Sequence, residues 1–190
     1  MINLISDCNE FLLTHNFDTN FPLEGYLGVK APQRVAFFVW TTAWDRILTC
    51  DNLRRQGIVT AGWYCMCMCS GEMVDHPLLH CRVAREIWSY VFRLFGVDWV
   101  ISGCVLELVA GWRNWFGKHS SEVWNLIPYC LMWSIWRERN NHSFEDIEHS
   151  VGQLIEFCMC SLFDWAKAWG FTTSHFVGGF LESLSPPNIL

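Results

Sequence analysis

Apolar residues recur at helical spacing along most of the chain beyond residue 32. Six segments combine this spacing with residues that begin or end helices, a pattern that favours α-helix. They are residues 33–48, 49–57, 76–96, 105–115, 120–141 and 151–169. Thr49 is a typical N-cap, and Gly57, Gly96 and Gly170 are typical helix stops. The pattern predicts a mainly α protein: a small helical domain followed by further helices packed as an irregular bundle.

The first and the last of these helices are predicted to bury broad apolar faces. The first has apolar residues on one face and beside it, so burial nearly all round is expected. These residues are Val35, Phe37, Phe38, Val39, Trp40, Thr42 and Trp44. The last helix is expected to turn a broad apolar side inward. That side comprises Leu154, Phe157, Cys158, Leu162, Trp165 and Trp169.

Between and around the helices, four regions are predicted. Residues 1–31 lack a sustained period and form an irregular N-terminal segment. Residues 32–97 form a domain around a cysteine- and histidine-rich stretch, and residues 98–170 form a helical C-terminal region. Residues 171–190 are expected to fray, since two glycines and two prolines interrupt them.

Composition restricts the classes of protein that fit. Apolar residues make up 52% of the chain and charged residues 17%, which excludes intrinsic disorder. With 12 Trp and 14 Phe, the chain has more aromatic surface than a small monomer easily buries, so contact with another segment or with a second copy is expected. A net charge of −6 argues against a general phosphate-binding surface and leaves room only for a local one.

No secretory signal or membrane span is visible in the sequence. The first residues lack a basic region, and the longest apolar segment, 123–136, is interrupted by Asn125 and Pro128. We therefore expect an intracellular protein, nuclear or cytoplasmic, with no membrane partner. Because reducing compartments disfavour disulfides, the ten cysteines are expected to bind metal or to be simply buried.

The stretch from Trp63 to Cys81 contains four cysteines and two histidines. Zinc prefers four tetrahedral sulfur and nitrogen ligands, and a cysteine turn followed by a helix start with His76 and Cys81 can supply them. Cys65, Cys67 and Cys69 lie at alternate positions. With His76 and Cys81 as two of the four ligands, only two of these three cysteines are needed, so one is surplus. The spacing predicts a zinc-knuckle-like Cys/His turn in the small helical domain but leaves the first cysteine ligand open.

At this point a family resemblance becomes visible. The run APQRVAFFVWTTAWDRILTCDNLRRQGI, then the cysteines, GEMVDHPLLHC and REIW, resembles the reverse transcriptase zinc-binding domain. That domain lies near the C-terminal end of plant LINE-type retrotransposon polyproteins. The segments WRNWFGKHSSEVWNLIPYCLMWSIWRERNNHSFED and LFDWAKAWGF are similar to the tail that follows it.

The resemblance implies a bound zinc ion and a set of ligands. The family pattern is CxxC, then a His, then a Cys five residues later, and it falls on Cys67, His76 and Cys81. The first cysteine of the pattern falls on Tyr64, which does not replace a thiolate. The expected set is therefore Cys65, Cys67, His76 and Cys81, with Cys69 as the alternative to Cys65.

The chain shows none of the acidic constellations that a polymerase, an RNase H or an endonuclease requires. The resemblance implies a non-catalytic, accessory role in contact with nucleic acid, with template RNA foremost. Four arginines are expected to form the contact surface, with Trp63 nearby for stacking. They are Arg54, Arg55, Arg82 and Arg85. The alternative is a protein-interaction module, or a decayed retroelement remnant with no present activity.

Overall fold

The computed structural model describes residues 29–60, 62–69, 71–112 and 121–185. Within these ranges lie seven α-helices: α1 (Gln33–Ala43), α2 (Cys50–Arg55), α3 (Arg82–Leu94), α4 (Val105–Gly111), α5 (Ser121–Asn140), α6 (Val151–Ala168) and α7 (Val177–Leu184). Two five-residue π-helical turns, His76–His80 and Asn141–Glu145, complete the elements. The described residues contain no β-strand, and the predicted mainly α class is confirmed.

Helix α5 lies at the centre of the fold. It packs against α1, α3, α6 and the first π turn. Between Val123 and Ile135 most of its side chains are buried, so water reaches little of this part of the helix. The two regions predicted to meet at residues 97 and 98 both contribute to one hydrophobic core.

A group of tryptophans forms one end of this core. The rings of Trp112 and Trp124 stack with centroids 4.3 Å apart, and Trp88 meets Trp112 edge-on at 5.5 Å. Trp112 also donates its Nε1 hydrogen to the carbonyl oxygen of Trp124, at 2.8 Å. Part of the aromatic surface that seemed too large for this chain is therefore buried within it, while Trp63 and Trp169 stay about half exposed.

Capping explains where several helices begin. The hydroxyl of Thr49 accepts a hydrogen bond from Asn52 N and starts α2, as predicted. Ser150 starts α6 through a capping box with Gln153. No described helix has both the length and the apolar character needed to cross a membrane.

Three predictions about burial and order are wrong. In α1, Phe37 is 43% exposed, because only one side of this helix faces the core. Phe157 of α6 and Trp169, which follows its last turn, are exposed, because the helices packed on α6 cover a narrower face than the apolar pattern suggested. Residues 177–184 form helix α7 instead of fraying, since Phe180 is buried against Phe163 of α6.

Some predictions fall elsewhere in the chain. The irregular segment 1–28, the end of the predicted helix at 113–115 and the last residues, 186–190, lie outside the described residues.

Candidate metal centre

The first π turn places His76 and Cys81 side by side. Sequence spacing predicts a single helix beginning near His76, but the chain makes a π turn over His76–His80 and begins α3 only at Arg82. The N–H of Cys81 donates to the carbonyl oxygen of His76, at 2.7 Å. This bond joins residues five apart, and it brings their side chains to the same side. Pro77 fits the first turn because its nitrogen has no hydrogen to donate.

The cysteine turn supplies a third donor. The Sγ of Cys67 lies 3.2 Å from Nε2 of His76. The donor atoms of Cys67, His76 and Cys81 all lie within 4.8 Å of one another. Donors around a tetrahedral zinc ion with Zn–S near 2.3 Å and Zn–N near 2.0 Å are separated by roughly 3.5–3.8 Å. The separations in this group, 3.2 Å between Cys67 and His76 and no more than 4.8 Å between any two donors, lie around this range, and two thiols with an imidazole suit the chemistry of zinc.

Cys65 does not join this group. Its Sγ lies 3.4 Å from the hydroxyl oxygen of Ser143 and 3.9 Å from the carbonyl oxygen of Arg139. Residues 65–67 form a turn and not the strand that would have pointed alternate cysteines to one side. The turn therefore directs Cys65 toward the second π turn and Cys67 toward His76.

Cys69 is folded back beside Cys67. Met68 adopts φ +56°, a left-handed conformation that is unusual for a residue with a side chain. After this reversal, the carbonyl oxygen of Cys69 accepts a hydrogen bond from Tyr64 N. The Sγ of Cys69 lies 3.4 Å from the carbonyl oxygen of Cys67. Cys69 is exposed, and its thiol lies outside the 4.8 Å group.

Tyr64 packs against the site without contributing a ligand. Its side chain is fully buried, and its ring meets the imidazole of His76 edge-on with centroids 5.7 Å apart. Its hydroxyl lies 2.8 Å from Sδ of Met66. The Tyr64 ring therefore restricts the orientation of the His76 imidazole.

Burial favours the neutral forms of both ring and thiol while no metal is bound. Burial lowers the pKa of His76, and the charge of His80 lowers it further. A neutral imidazole is the form that binds metals. Burial also raises the pKa of the Cys67 thiol to about 11, with a further rise from Cys69 and Cys81. A metal ion must therefore displace a proton from Cys67.

A buried ion pair fixes the loop that carries Cys67 and leads to His76, called here the metal-binding loop. Arg139 of α5 donates from Nε and Nη2 to the carboxylate of Glu72. The same carboxylate accepts from Cys50 N at the start of α2, at 2.8 Å. Burial alone would raise the pKa of Glu72, but the hydrogen bonds from Arg139 and Cys50 hold it below its ordinary value. This ion pair was not predicted, because no local sequence pattern relates residues 72 and 139.

The four predicted arginines fall into two pairs with different neighbours. Arg54 pairs with Asp51 at 3.2 Å, and Arg55 pairs with Asp45 at 2.9 Å, both near α2. Arg82 and Arg85 instead line a cavity beside the metal centre. A third arginine of α3, Arg93, lines the same cavity and was not predicted. The available signal was its position eight residues after Arg85, which is about two helical turns along the same face.

Comparison with known families points to the same site. Residues 11–88 match the family described as zinc-binding in reverse transcriptase. This match supports a reverse transcriptase zinc-binding domain. It includes the three converging donors and Glu72, and it ends inside α3, before Arg139. No curated protein and no solved structure matches the chain.

Proposed function

We propose that this chain is a non-catalytic zinc-binding module of a LINE-type retrotransposon reverse transcriptase polyprotein, of plant origin, that contacts template RNA. The observation that carries the proposal is the convergence of Cys67, His76 and Cys81 within a range that matches the zinc-binding family. A zinc ion there ties the cysteine turn to the π turn that precedes α3. It is a structural ion, which adds folding free energy rather than chemistry.

The proposed fourth ligand is Cys69. Its thiol is already beside Cys67, and the exposed loop needs only a local rotation to present it. Cys65 would have to leave its contacts with Ser143 and the Arg139 carbonyl and cross the turn. A closed set of three cysteines and one histidine is common in structural zinc sites.

The non-catalytic part of the proposal is supported by the buried carboxylates. Two-metal polymerase chemistry needs acidic groups that are free to share metal ions. Among the described residues the buried acids are Glu72 and Glu138, and each has a partner. Glu72 pairs with Arg139, and Glu138 accepts from both N and Nδ1 of His149. The matched family is likewise described by metal binding and by no reaction.

The test is the metal content of protein purified under reducing conditions, measured by mass spectrometry. We expect about one zinc per chain, which Cys67→Ser removes. Cys160→Ser, a substitution on α6 away from the site, is the matched control and should retain the ion. Absence of zinc from the wild-type protein would refute the metal site.

A protein-interaction module remains the second candidate, because several large apolar side chains are exposed. Val59 is 98% exposed, Val100 90% and Phe144 71%. Self-association that rises with concentration, in a protein without affinity for RNA, would favour this candidate.

A further inference from the structure

A groove runs from the metal centre along the exposed face of α3. Its volume is about 1010 Å³. The cysteine loop, the π turn and Ile155 of α6 form one part of its lining. The other part is a stripe of α3, made up of Arg82, Arg85, Glu86, Ser89 and Arg93.

The position of this stripe is fixed by the core. The opposite face of α3 buries Val83, Ala84, Ile87, Trp88, Val91 and Phe92. Residues 82, 85, 89 and 93 are three and four apart, so they share the exposed face. At 1.5 Å per residue, Arg82 and Arg93 are roughly 16 Å apart along the helix. The stripe thus presents positive charge over a distance longer than one phosphate group.

These arginines are available to an anion. Arg85 and Arg93 make no ion pair within the described part of the chain. Arg82 lies 3.9 Å from Glu86, but both side chains are exposed, so this pair contributes little. Glu86 is the one carboxylate among the groove's lining residues, against three guanidinium groups. The groove is therefore basic although the whole chain is acidic.

The lining also has an apolar part. Met66, Met68 and Ile155 contribute to it, and Met68 is 73% exposed. Methionine is flexible and polarizable and packs well against flat rings. Cavities of roughly 300–1,000 Å³ enclose drug-sized ligands, so this groove holds a few nucleotides of a single strand and not a duplex.

Resting on the proposed contact with RNA, we propose that this groove is where the contact is made: Arg82, Arg85 and Arg93 bind the phosphates of a single strand, and the methionines contact its bases. The metal centre does not attract the phosphates, because zinc with three thiolates has a net negative charge. Its role is to fix the cysteine loop, which lines the groove opposite the α3 stripe.

The test is the salt dependence of RNA affinity, measured by fluorescence anisotropy with a labelled single-stranded oligonucleotide of mixed sequence. Three phosphate contacts predict a slope of log affinity against log salt of about −2, at about −0.7 per contact. Arg85→Gln with Arg93→Gln should weaken binding and reduce the slope to about −0.7. The matched control, Arg54→Gln with Arg55→Gln, removes the same charge near α2 and should bind as wild type does.

A second pair of variants avoids removing any arginine. Ser89→Glu puts a negative charge inside the groove and should weaken binding, whereas Gln56→Glu puts it on the exposed surface after α2 and should not. Zinc content is measured for every variant, to separate loss of the surface from loss of the fold.

Each other outcome overturns a distinct claim. Suppose that RNA binds and that the α3 and α2 double variants weaken the affinity equally, or that neither weakens it. The groove is then not the contact surface, although RNA contact stands. If the wild-type protein holds zinc but does not bind RNA, both the groove and RNA contact are refuted. If the groove variants abolish self-association and RNA is not bound, the groove belongs to a protein interface.

Discussion

Arg139 on α5 and Glu72 in the metal-binding loop form a buried ion pair with two hydrogen bonds, of 2.5 and 2.8 Å. Their side chains are 5% and 1% exposed. The pair connects a residue inside the family match with one that lies 51 positions beyond its end. The loop that carries Cys67 and leads to His76 is thereby fixed to the central helix of the fold.

Glu72→Gln should destabilise the protein strongly. The amide leaves the buried Arg139 charge without a counter-charge, and removing one partner of a buried pair costs roughly 3–5 kcal/mol. Chemical denaturation in the presence of zinc measures this free energy. Glu86→Gln, on the exposed face of α3, is the control and should change stability by less than about 0.5 kcal/mol. Equal effects of the two substitutions would mean that the pair does not hold the loop.

The same pair makes stability depend on acid. The folded-state pKa of Glu72 lies below its ordinary value of 4.5. The stability it contributes is thus fully present above about pH 4.5 and is lost as the pH falls through the folded pKa. Repeating the denaturation at decreasing pH should show wild type and Glu72→Gln converging at the acid end. A gap that stays constant would contradict the assignment.

Tyr64 should matter through its ring and not through its hydroxyl. Tyr64→Phe keeps the edge-on contact with His76 and loses only the contact with Met66, so zinc affinity should be nearly unchanged. Tyr64→Ala opens a cavity beside the imidazole and should cost about 3–5 kcal/mol of stability. Thermal denaturation and zinc competition with a chelator measure the two effects. Loss of zinc affinity in the phenylalanine variant would instead indicate a direct role for the hydroxyl.

Cys69 and Cys65 form a matched pair for the fourth ligand. One ligand in four accounts for about 3 kcal/mol of the roughly 10–16 kcal/mol of a structural zinc site. Cys69→Ser should therefore weaken zinc binding about 100-fold. Cys65→Ser should leave it unchanged, because that thiol faces Ser143. The reverse order in chelator competition would assign the fourth position to Cys65.

Zinc affinity should increase with pH. The Cys67 thiol, with a pKa of about 11, is protonated at neutral pH, so binding must release its proton. Each unit of pH should then raise the affinity at least about tenfold across the neutral range. Chelator competition at several pH values gives this slope. A flat profile would mean that Cys67 is not a thiolate ligand.

Much of the fold could be predicted from the sequence because helices depend on local pattern. Both limits of α2 and the end of α3 follow from Thr49, Gly57 and Gly96, which act within one turn of the chain. Burial was harder to predict. Phe37 and Phe157 are as apolar as their buried neighbours, and only the packing of other helices decides that they stay exposed.

The candidate site, too, was predictable where local spacing decides the structure and not where distant contacts do. His76 and Cys81 were predicted as neighbours from their spacing, although the π turn that achieves this was not. The direction of the Cys65 thiol depends on Ser143, 78 residues away, and the position of the metal-binding loop depends on Arg139. Contacts across such distances leave no signal in a local pattern.

The most direct test of the metal centre is X-ray absorption spectroscopy of the zinc-loaded protein, which counts the atoms bound to the ion and measures their distances. We predict three sulfur atoms at about 2.3 Å and one nitrogen at about 2.0 Å. A first shell of nitrogen and oxygen without sulfur, or an ion that keeps the same shell in Cys67→Ser, would contradict the site.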